Sequence, residues 1–254
     1  MRRTLAVTLV LLAVCGCATT PEQRRLAGSH HDLGDQLLRE GKYVEAMPEL
    51  LAAAEIDPHD ATIQLSLGVS YRSRGLPVEA EKALHRALEL APDSAEAHQT
   101  LGALLLQLGR YDEAIAELDI AAKDLRYQSP HYACTNLGNA YLGKNEPGKA
   151  IEWFKRALQT VPGFWLAQRG LGNAYYLVGR FDEAATNYRA AMAAHPTDVE
   201  SRIGIGRCEM KQGRLKDARQ AFQGAVASAA AGSEMAKKAQ LYLDRLDSGV
   251  VPEP

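Results

Sequence analysis

This 254-residue chain contains few aromatic residues and few cysteines, and neither positive nor negative charge predominates. Aromatic residues make up 6 % of it, and β-branched runs are rare beyond the first 14 positions, which favours helix over strand. The net charge is −2, and no basic stripe is interleaved with aromatic residues, so the sequence lacks the footprint of a nucleic-acid-binding protein. Hydrophobic residues account for 46 %, enough for a substantial core.

The patterns of catalytic and metal sites are missing as well. The seven histidines occupy unrelated positions, and no set of His, Cys, Asp and Glu has the spacing of metal ligands. Neither a Gly-rich phosphate loop nor a serine elbow occurs. Acidic stretches such as residues 111–114 place carboxylates in the first turn of a helix, where they meet the helix dipole. We therefore expect no enzymatic activity, cofactor, metal or small-molecule substrate.

A single long apolar run, residues 5–14, follows Arg2 and Arg3 at the N-terminus. Its ten residues are too few to span a bilayer core of roughly 30 Å as a helix, so the run is typical of a cleaved export signal. The following Gly16-Cys17 resembles the lipobox of bacterial lipoproteins, in which the cysteine is acylated and becomes the new N-terminus. Cys17 fits better than Cys15, which follows the bulkier Val14. A plain secretory signal is the alternative.

The resemblance to lipoproteins implies several acyl chains on Cys17, which make a stable membrane anchor. Ala18 stands where an aspartate retains many such proteins at the inner membrane, so the resemblance implies an outer-membrane location facing the periplasm. Residues 17–26 are predicted to form the lipidated cysteine and a short tether, after a signal peptide at 1–16. In that oxidising compartment Cys134 and Cys208, two repeats apart, are too distant for a disulfide and are expected to be buried thiols.

The remainder of the chain is periodic. A glycine recurs in six "LG"-type pairs with steps of 34, 34, 36, 34 and 34 residues, an alanine follows each glycine by 12 positions, and another alanine follows 7 later. A large apolar residue lies between those two alanines, and a proline closes four of the six units. The glycines are Gly34, Gly68, Gly102, Gly138, Gly172 and Gly206, and the large apolar residues are Leu50, Leu84, Leu118, Phe154, Tyr188 and Phe222.

A 34-residue period with this signature resembles the tetratricopeptide repeat. The resemblance implies an all-α fold, a right-handed α-solenoid of six helix-turn-helix repeats that bury their apolar faces against one another. Seven positions after the "LG" glycine, five repeats have a second glycine and the fourth repeat has Asn145. These residues predict a left-handed turn between helices A and B. The predicted repeats are 27–60, 61–94, 95–130, 131–164, 165–198 and 199–232, followed by a capping helix at 233–247 and a tail at 248–254.

The resemblance places helix A of each repeat on the concave side, where a binding groove is expected. The exposed positions collected there are more apolar than a solvated face requires, which suggests a surface for an apolar or amphipathic segment. Packing of several of these residues against adjacent helices is the alternative. The candidate groove residues are Leu65, Val69, Leu106, Tyr132, Thr135, Asn139, Leu142, Leu166, Arg169, Asn173, Tyr176 and Arg207.

Arg169 and Asn173 resemble half of the clamp with which some tetratricopeptide domains hold a C-terminal carboxylate. The other half is missing, because the sixth repeat offers Ile203 and Gly204 and only Arg207 one turn away. We therefore expect Asn139 and Asn173, which share one repeat position, to hydrogen-bond along the inner face, either to a ligand backbone or to their surroundings.

The third repeat is two residues longer and ends in an irregular junction, "DLRYQSPHYACTNLG". This element resembles Asp-x-x-Tyr-x-x-Pro-x-x-Ala of the pilotin-like tetratricopeptide lipoproteins of type IV pilus biogenesis, the PilF, PilW or Tgl type. The matching positions here are Asp124, Tyr127, Pro130, Ala133, Asn136 and Gly138. The resemblance implies a scaffold that binds an outer-membrane secretin subunit and promotes its assembly. A periplasmic adaptor for cell-wall or envelope-assembly proteins and an enzyme with an unrecognised site are the alternatives.

Overall fold

A computed structural model describes residues 19–248, and the predicted signal peptide, Cys17 and most of the tail lie outside them. The described chain consists of helices joined by short turns, without strands in that range. Its helices are α1 (Pro21–Arg39), α2 (Tyr43–Ile56), α3 (Ala61–Ser73), α4 (Pro77–Leu90), α5 (Ala95–Gln107), α6 (Tyr111–Lys123), α7 (Pro130–Gly143), α8 (Pro147–Thr160), α9 (Trp165–Leu177), α10 (Phe181–Ala194), α11 (Val199–Lys211), α12 (Leu215–Ser228) and α13 (Glu234–Asp247).

Odd- and even-numbered helices up to α12 pair as the A and B helices of six successive hairpins. The turn within each hairpin contains a residue with positive φ, such as Gly41 at 74° and Asn145 at 59°. Asparagine is among the few non-glycine residues that adopt this conformation readily, so the replacement in the fourth repeat keeps the turn. The glycine column seven positions after "LG" is therefore a column of left-handed turns.

Helices A and B of one hairpin approach closely because the "LG" glycine has no side chain. A methyl group added at Gly68 would lie 2.6 Å from Leu84 Cδ2, and one added at Gly102 would lie 2.5 Å from Leu118 Cγ. The large apolar column therefore fills the space that each glycine leaves open. The residues of this column, from Leu50 to Phe222, are fully buried and form the centre of the core together with the alanines.

Each A helix contacts the A helix of the next repeat, whereas within residues 19–248 no B helix contacts another B helix. Neighbouring elements meet on the inside of a curved stack and diverge on its outside. The A helices therefore line the concave side, as the sequence predicts, and we call their exposed surface from α3 to α11 the concave groove.

The start of α1 differs from the sequence interpretation. Residues 17–26 were expected to be a tether, but α1 begins at Pro21 and extends through that segment. Thr20 accepts a hydrogen bond from the backbone N–H of Gln23 (3.2 Å), and the Gln23 side chain accepts one from the backbone N–H of Thr20 (2.9 Å). This reciprocal capping box, with proline at the first helical position, fixes the helix start six residues earlier than position 27.

At the opposite end, α13 covers the last repeat. Ser233 caps it by accepting a hydrogen bond from the backbone N–H of Ala236 (3.2 Å), and Tyr242 stacks on Phe222 with ring centroids 4.9 Å apart.

Cys134 and Cys208 are buried free thiols, as expected. None of the helices within the described range combines the length and hydropathy that crossing a membrane requires.

Candidate protein-binding groove

All of the predicted groove residues lie on A helices, and nearly all are partly accessible. Tyr132 is the most exposed of them, at 45 %, whereas the others except Thr135 are half-buried. Leu65, Leu106, Leu142 and Tyr176 also pack against the main core cluster. Both interpretations of these apolar residues therefore hold at once, because each contributes one side to the core and leaves another side in the groove.

Thr135 does not belong to the groove, contrary to the sequence interpretation. Its exposed fraction is 4 %, and its Oγ1 donates a hydrogen bond to the backbone carbonyl of His131 (2.7 Å). A threonine hydroxyl in a helix commonly bonds the carbonyl one turn earlier, which satisfies the group without any ligand. The residue is a packing element of α7.

Arg169 pairs with two carboxylates at the junction of the fifth and sixth repeats. Its Nη1 lies 3.2 Å from Asp198 Oδ1 and 3.0 Å from Glu200 Oε2, and its guanidinium lies 5.0 Å from the ring centroid of Trp165. Asp198 is buried and also accepts a hydrogen bond from Ser201 Oγ. The Arg169 guanidinium is therefore already paired with two carboxylates of this chain. It is not available to bind the C-terminal carboxylate of a peptide, as the resemblance to a carboxylate clamp suggested.

The two equivalent asparagines have different surroundings. Tyr188 Oη donates a hydrogen bond to Asn173 Oδ1 (2.7 Å), so the Asn173 carbonyl is used within the fifth repeat. In the fourth repeat Phe154 replaces the tyrosine and has no hydroxyl to donate, and the Asn139 amide makes no hydrogen bond with the part of the chain that the structure describes. Asn173 therefore hydrogen-bonds to its surroundings, as expected, whereas a hydrogen bond from Asn139 to a ligand stays a prediction.

Aromatic side chains at the start of α7 and α9 form a small cluster beside the groove. The ring of Phe164 meets Tyr132 edge to face at 5.1 Å and His131 at 4.8 Å. Burial lowers the pKa of His131, which favours its neutral form in this apolar setting. Further along, the Arg207 guanidinium lies over the Tyr176 ring, 4.0 Å from its centroid. Sequence reasoning missed Phe164, since it lies in a connection between repeats.

The irregular junction after the third repeat forms one wall of a cavity of about 680 Å³. Asp124 ends α6 and accepts a hydrogen bond from the backbone N–H of Arg126 (2.8 Å), which turns the chain toward Tyr127. Burial raises the pKa of Tyr127 to about 12, so its hydroxyl stays protonated and can donate. Residues from the second, third and fourth repeats line the cavity, among them Tyr132 of the predicted groove.

The repeat assignment agrees with known families. Tetratricopeptide-repeat family models match residues 31–95 and 169–234, residues 71–137, and residues 131–164. The chain belongs to the tetratricopeptide-repeat family. Its helix pairs, small-residue columns and left-handed turns are thus the features of that repeat.

Curated relatives include a type IV pilus protein. The type IV pilus assembly protein PilF of Pseudomonas aeruginosa is 28 % identical over 166 residues, which cover 62 % of this chain and 66 % of that protein. Superkiller complex protein 3 of Mus musculus is 36 % identical over 128 residues, which cover 48 % of this chain and 8 % of that protein. This tetratricopeptide chain therefore spans less than two thirds of the length of these relatives.

Solved tetratricopeptide structures share the fold. The structure of Pseudomonas aeruginosa PilF superposes with a TM-score of 0.74 and 21 % identity, covering 87 % of this chain and 99 % of that one. The structure of PilW, a type IV pilus biogenesis factor, superposes with a TM-score of 0.77 and 22 % identity, covering 85 % and 99 %. The resemblance to tetratricopeptide proteins of type IV pilus biogenesis is confirmed by the sequence match to PilF, and the PilW structure shares the fold.

Proposed function

We propose that this protein is an outer-membrane lipoprotein that binds a secretin subunit through its concave groove and promotes secretin assembly for type IV pilus biogenesis. The observation that carries the proposal is the match along nearly the whole length of the PilF and PilW structures. The two matches cover 87 % and 85 % of this chain, which is far more than one shared repeat would produce. The proposed role is scaffolding, and it requires no catalytic residue.

The groove has the chemistry that such a partner would need. Tyr132 and the half-buried Leu106, Leu142 and Leu166 offer apolar contacts, and Asn139 offers an amide that can bond a peptide backbone. Apolar contacts supply affinity while a few polar groups fix the register of a bound segment. An amphipathic segment of a client protein fits this combination.

Acylation of Cys17 would hold the groove close to the membrane. Because α1 begins at Pro21, only a few residues separate the anchor from the folded body. A stretch of four residues spans at most about 14 Å, so the tether is short. Such anchoring raises the effective concentration of the groove toward a membrane-bound client.

Deletion of the encoding gene tests the proposal. We expect loss of heat-resistant secretin multimers on a blot and loss of surface pili, both restored by the wild-type protein. Complementation with Tyr132→Glu should fail, because a carboxylate would interrupt the apolar part of the groove. Leu215→Glu is the matched control, since Leu215 has the same exposed fraction as Tyr132, lies at the start of a B helix and should complement fully. Persistence of multimers and pili after deletion would reject the secretin role and favour a general envelope adaptor.

The anchor has its own test. Cys17→Ala should abolish incorporation of labelled palmitate, whereas Cys15→Ala should leave it unchanged. Continued labelling of the Cys17 variant would contradict the proposed acylation site.

A further inference from the structure

One groove position departs from its column. Four residues after each "LG" glycine the other five repeats have a large apolar residue, but the second repeat has Arg72. The five apolar counterparts are Leu38, Leu106, Leu142, Tyr176 and Met210. A charged side chain thus interrupts an apolar row that runs along the concave side.

Arg72 is partly buried and lacks a partner for its charge. Its Nε atom is inaccessible to solvent and has no hydrogen-bond partner among residues 19–248. Burial lowers the pKa of Arg72, and among the described residues the phenol of Tyr43 is the group that opposes this shift. A polar atom that is shielded from water and lacks a hydrogen-bond partner costs stability, so the unpaired Nε suggests a guanidinium that a ligand satisfies.

Arg72 lines the cavity of about 680 Å³ described above. The other lining arginine, Arg126, is already neutralised, with Nη2 3.0 Å from Asp124 Oδ2 and 3.3 Å from Asp93 Oδ2. Arg72 is therefore the cation available to an incoming anion. Glu96 is exposed on the same cavity and would repel further negative charge, so a single acidic group fits better than an acidic run.

The rest of the lining suits a peptide. Tyr127 and Tyr132 offer aromatic surface, and the Gln99 amide can bond a peptide backbone. The row of A helices continues past the cavity in both directions, to α1 and to α11. A segment lying along it would pass through the cavity, which favours an internal acidic side chain over a chain terminus.

We propose that the cavity beside Arg72 binds an extended peptide segment through one internal Asp or Glu, whose carboxylate pairs with the Arg72 guanidinium. An apolar residue next to that acid packs on Tyr127 and Tyr132. The proposal rests on the protein-binding part of the proposed function and names the chemistry of the segment that is bound. It does not depend on the segment coming from a secretin.

Selection from a library of displayed internal peptides tests this inference on the full-length protein in detergent. We expect the wild-type protein to enrich peptides with one fixed acidic position next to an apolar residue. Arg72→Leu, which restores the residue type of the other repeats, should lose that acidic preference. Arg74→Leu is the matched control, because Arg74 is exposed at the end of the same helix and outside the cavity lining.

Binding of a selected peptide, measured by fluorescence anisotropy, gives the size of the effect. Replacing its acid by the amide, or Arg72 by leucine, should each weaken binding at least roughly tenfold, since charge-assisted hydrogen bonds are the strong ones. Amidation of the peptide C-terminus should change nothing. Arg72→Leu should unfold no more readily than the wild type, and Arg72→Gln provides a second variant if it does.

Three results would overturn the inference: no acidic preference in the wild type, the same preference in Arg72→Leu, or dependence on a free C-terminus. These failures are separable from failure of the proposed function. Normal secretin multimers in an Arg72→Leu strain, together with their loss on deletion, would leave the scaffold role intact. An Arg72-dependent acidic preference, with multimers unaffected by deletion, would leave the peptide site intact and reject the secretin client.

Discussion

The ring of Phe154 is held between two glycines of successive repeats, and this arrangement makes a quantitative prediction. A methyl group added at Gly170 would lie 2.3 Å from Phe154 Cε1, and one added at Gly138 would lie 2.6 Å from the same atom. Phe154 is 0 % exposed, so the ring has no solvent side toward which to move. Gly170→Ala must therefore strain the interface between α8 and α9.

The expected cost follows from two opposing contributions. Overpacking a rigid core costs about 1–3 kcal/mol, and the confinement of the ring by Gly138 places this site near the upper limit. Alanine is preferred to glycine inside a helix by about 1 kcal/mol, which offsets part of the strain. The net loss in the free energy of unfolding is about 2 kcal/mol, equivalent to a Tm lower by roughly 4–8 °C for a chain of this size.

Comparison of the repeats indicates how to relieve the strain. The residue two positions before the "LG" glycine varies with the large apolar residue of the preceding repeat. It is Ser66 or Thr100 where that residue is a leucine, and Gly170 or Gly204 where that residue is aromatic. Phe154→Leu should therefore make room for a side chain at 170. Alone it should cost about 1 kcal/mol as a shape change in the core, and in its background Gly170→Ala should be neutral or stabilising.

The assay is equilibrium urea unfolding of the wild type, both single variants and the double variant, followed by far-UV circular dichroism. The double-mutant cycle should give a coupling of about 2–3 kcal/mol between residues 154 and 170. Gly148→Ala is the control, because a methyl group there would meet nothing within 4 Å. Additivity within about 0.5 kcal/mol would refute the steric reasoning.

Three further measurements check local features of the repeats. Asn145→Ala should lose about 1–2 kcal/mol in urea unfolding, since its φ is 59°, while Asn145→Gly should retain full stability. Tyr188→Phe removes the hydroxyl that donates to Asn173 and should cost about 1 kcal/mol by the same method; no change would mean that water replaces the bond. Burial raises the pKa of Cys134, and that of Cys208 to about 12, so alkylation followed by peptide mapping should modify these thiols only after unfolding.

The repeat architecture could be predicted from sequence because its constraints recur at fixed columns. A close helix crossing needs glycine at the same place in every hairpin, as at Gly68 and Gly102, and a left-handed turn needs glycine or asparagine. The start of α1 lay outside the period, since the capping box of Thr20 and Gln23 occurs once. The capping residues can be read from the sequence, but a search for the repeat period does not find them.

The groove was harder to predict. The position of a residue within the repeat determines the direction of its side chain, but it does not determine which residues that side chain contacts. Arg169 pairs with Asp198 at the end of its own repeat and with Glu200 of the following repeat, and no periodic pattern specifies a carboxylate at either position. Asn173 and Asn139 occupy one column, yet only the former has a tyrosine hydroxyl opposite it. Each of these outcomes depends on a second residue in a different helix.

A residue that differs from its equivalents in the other repeats can therefore be of two kinds. In one kind a second substitution in a contacting helix compensates for the difference, and in the other kind none does. The aromatic rings of Phe154 and Tyr188 are larger than the leucines of earlier repeats, and the glycines at 170 and 204 make room for them, so these changes concern packing. Arg72 replaces an apolar residue, and no carboxylate in the described part of the chain pairs with it. A partly buried charge without a counter-ion costs the isolated fold stability, whereas a bound acidic group would supply the missing partner. The absence of compensation thus distinguishes a binding position from a packing position in a repeat whose other columns are alike.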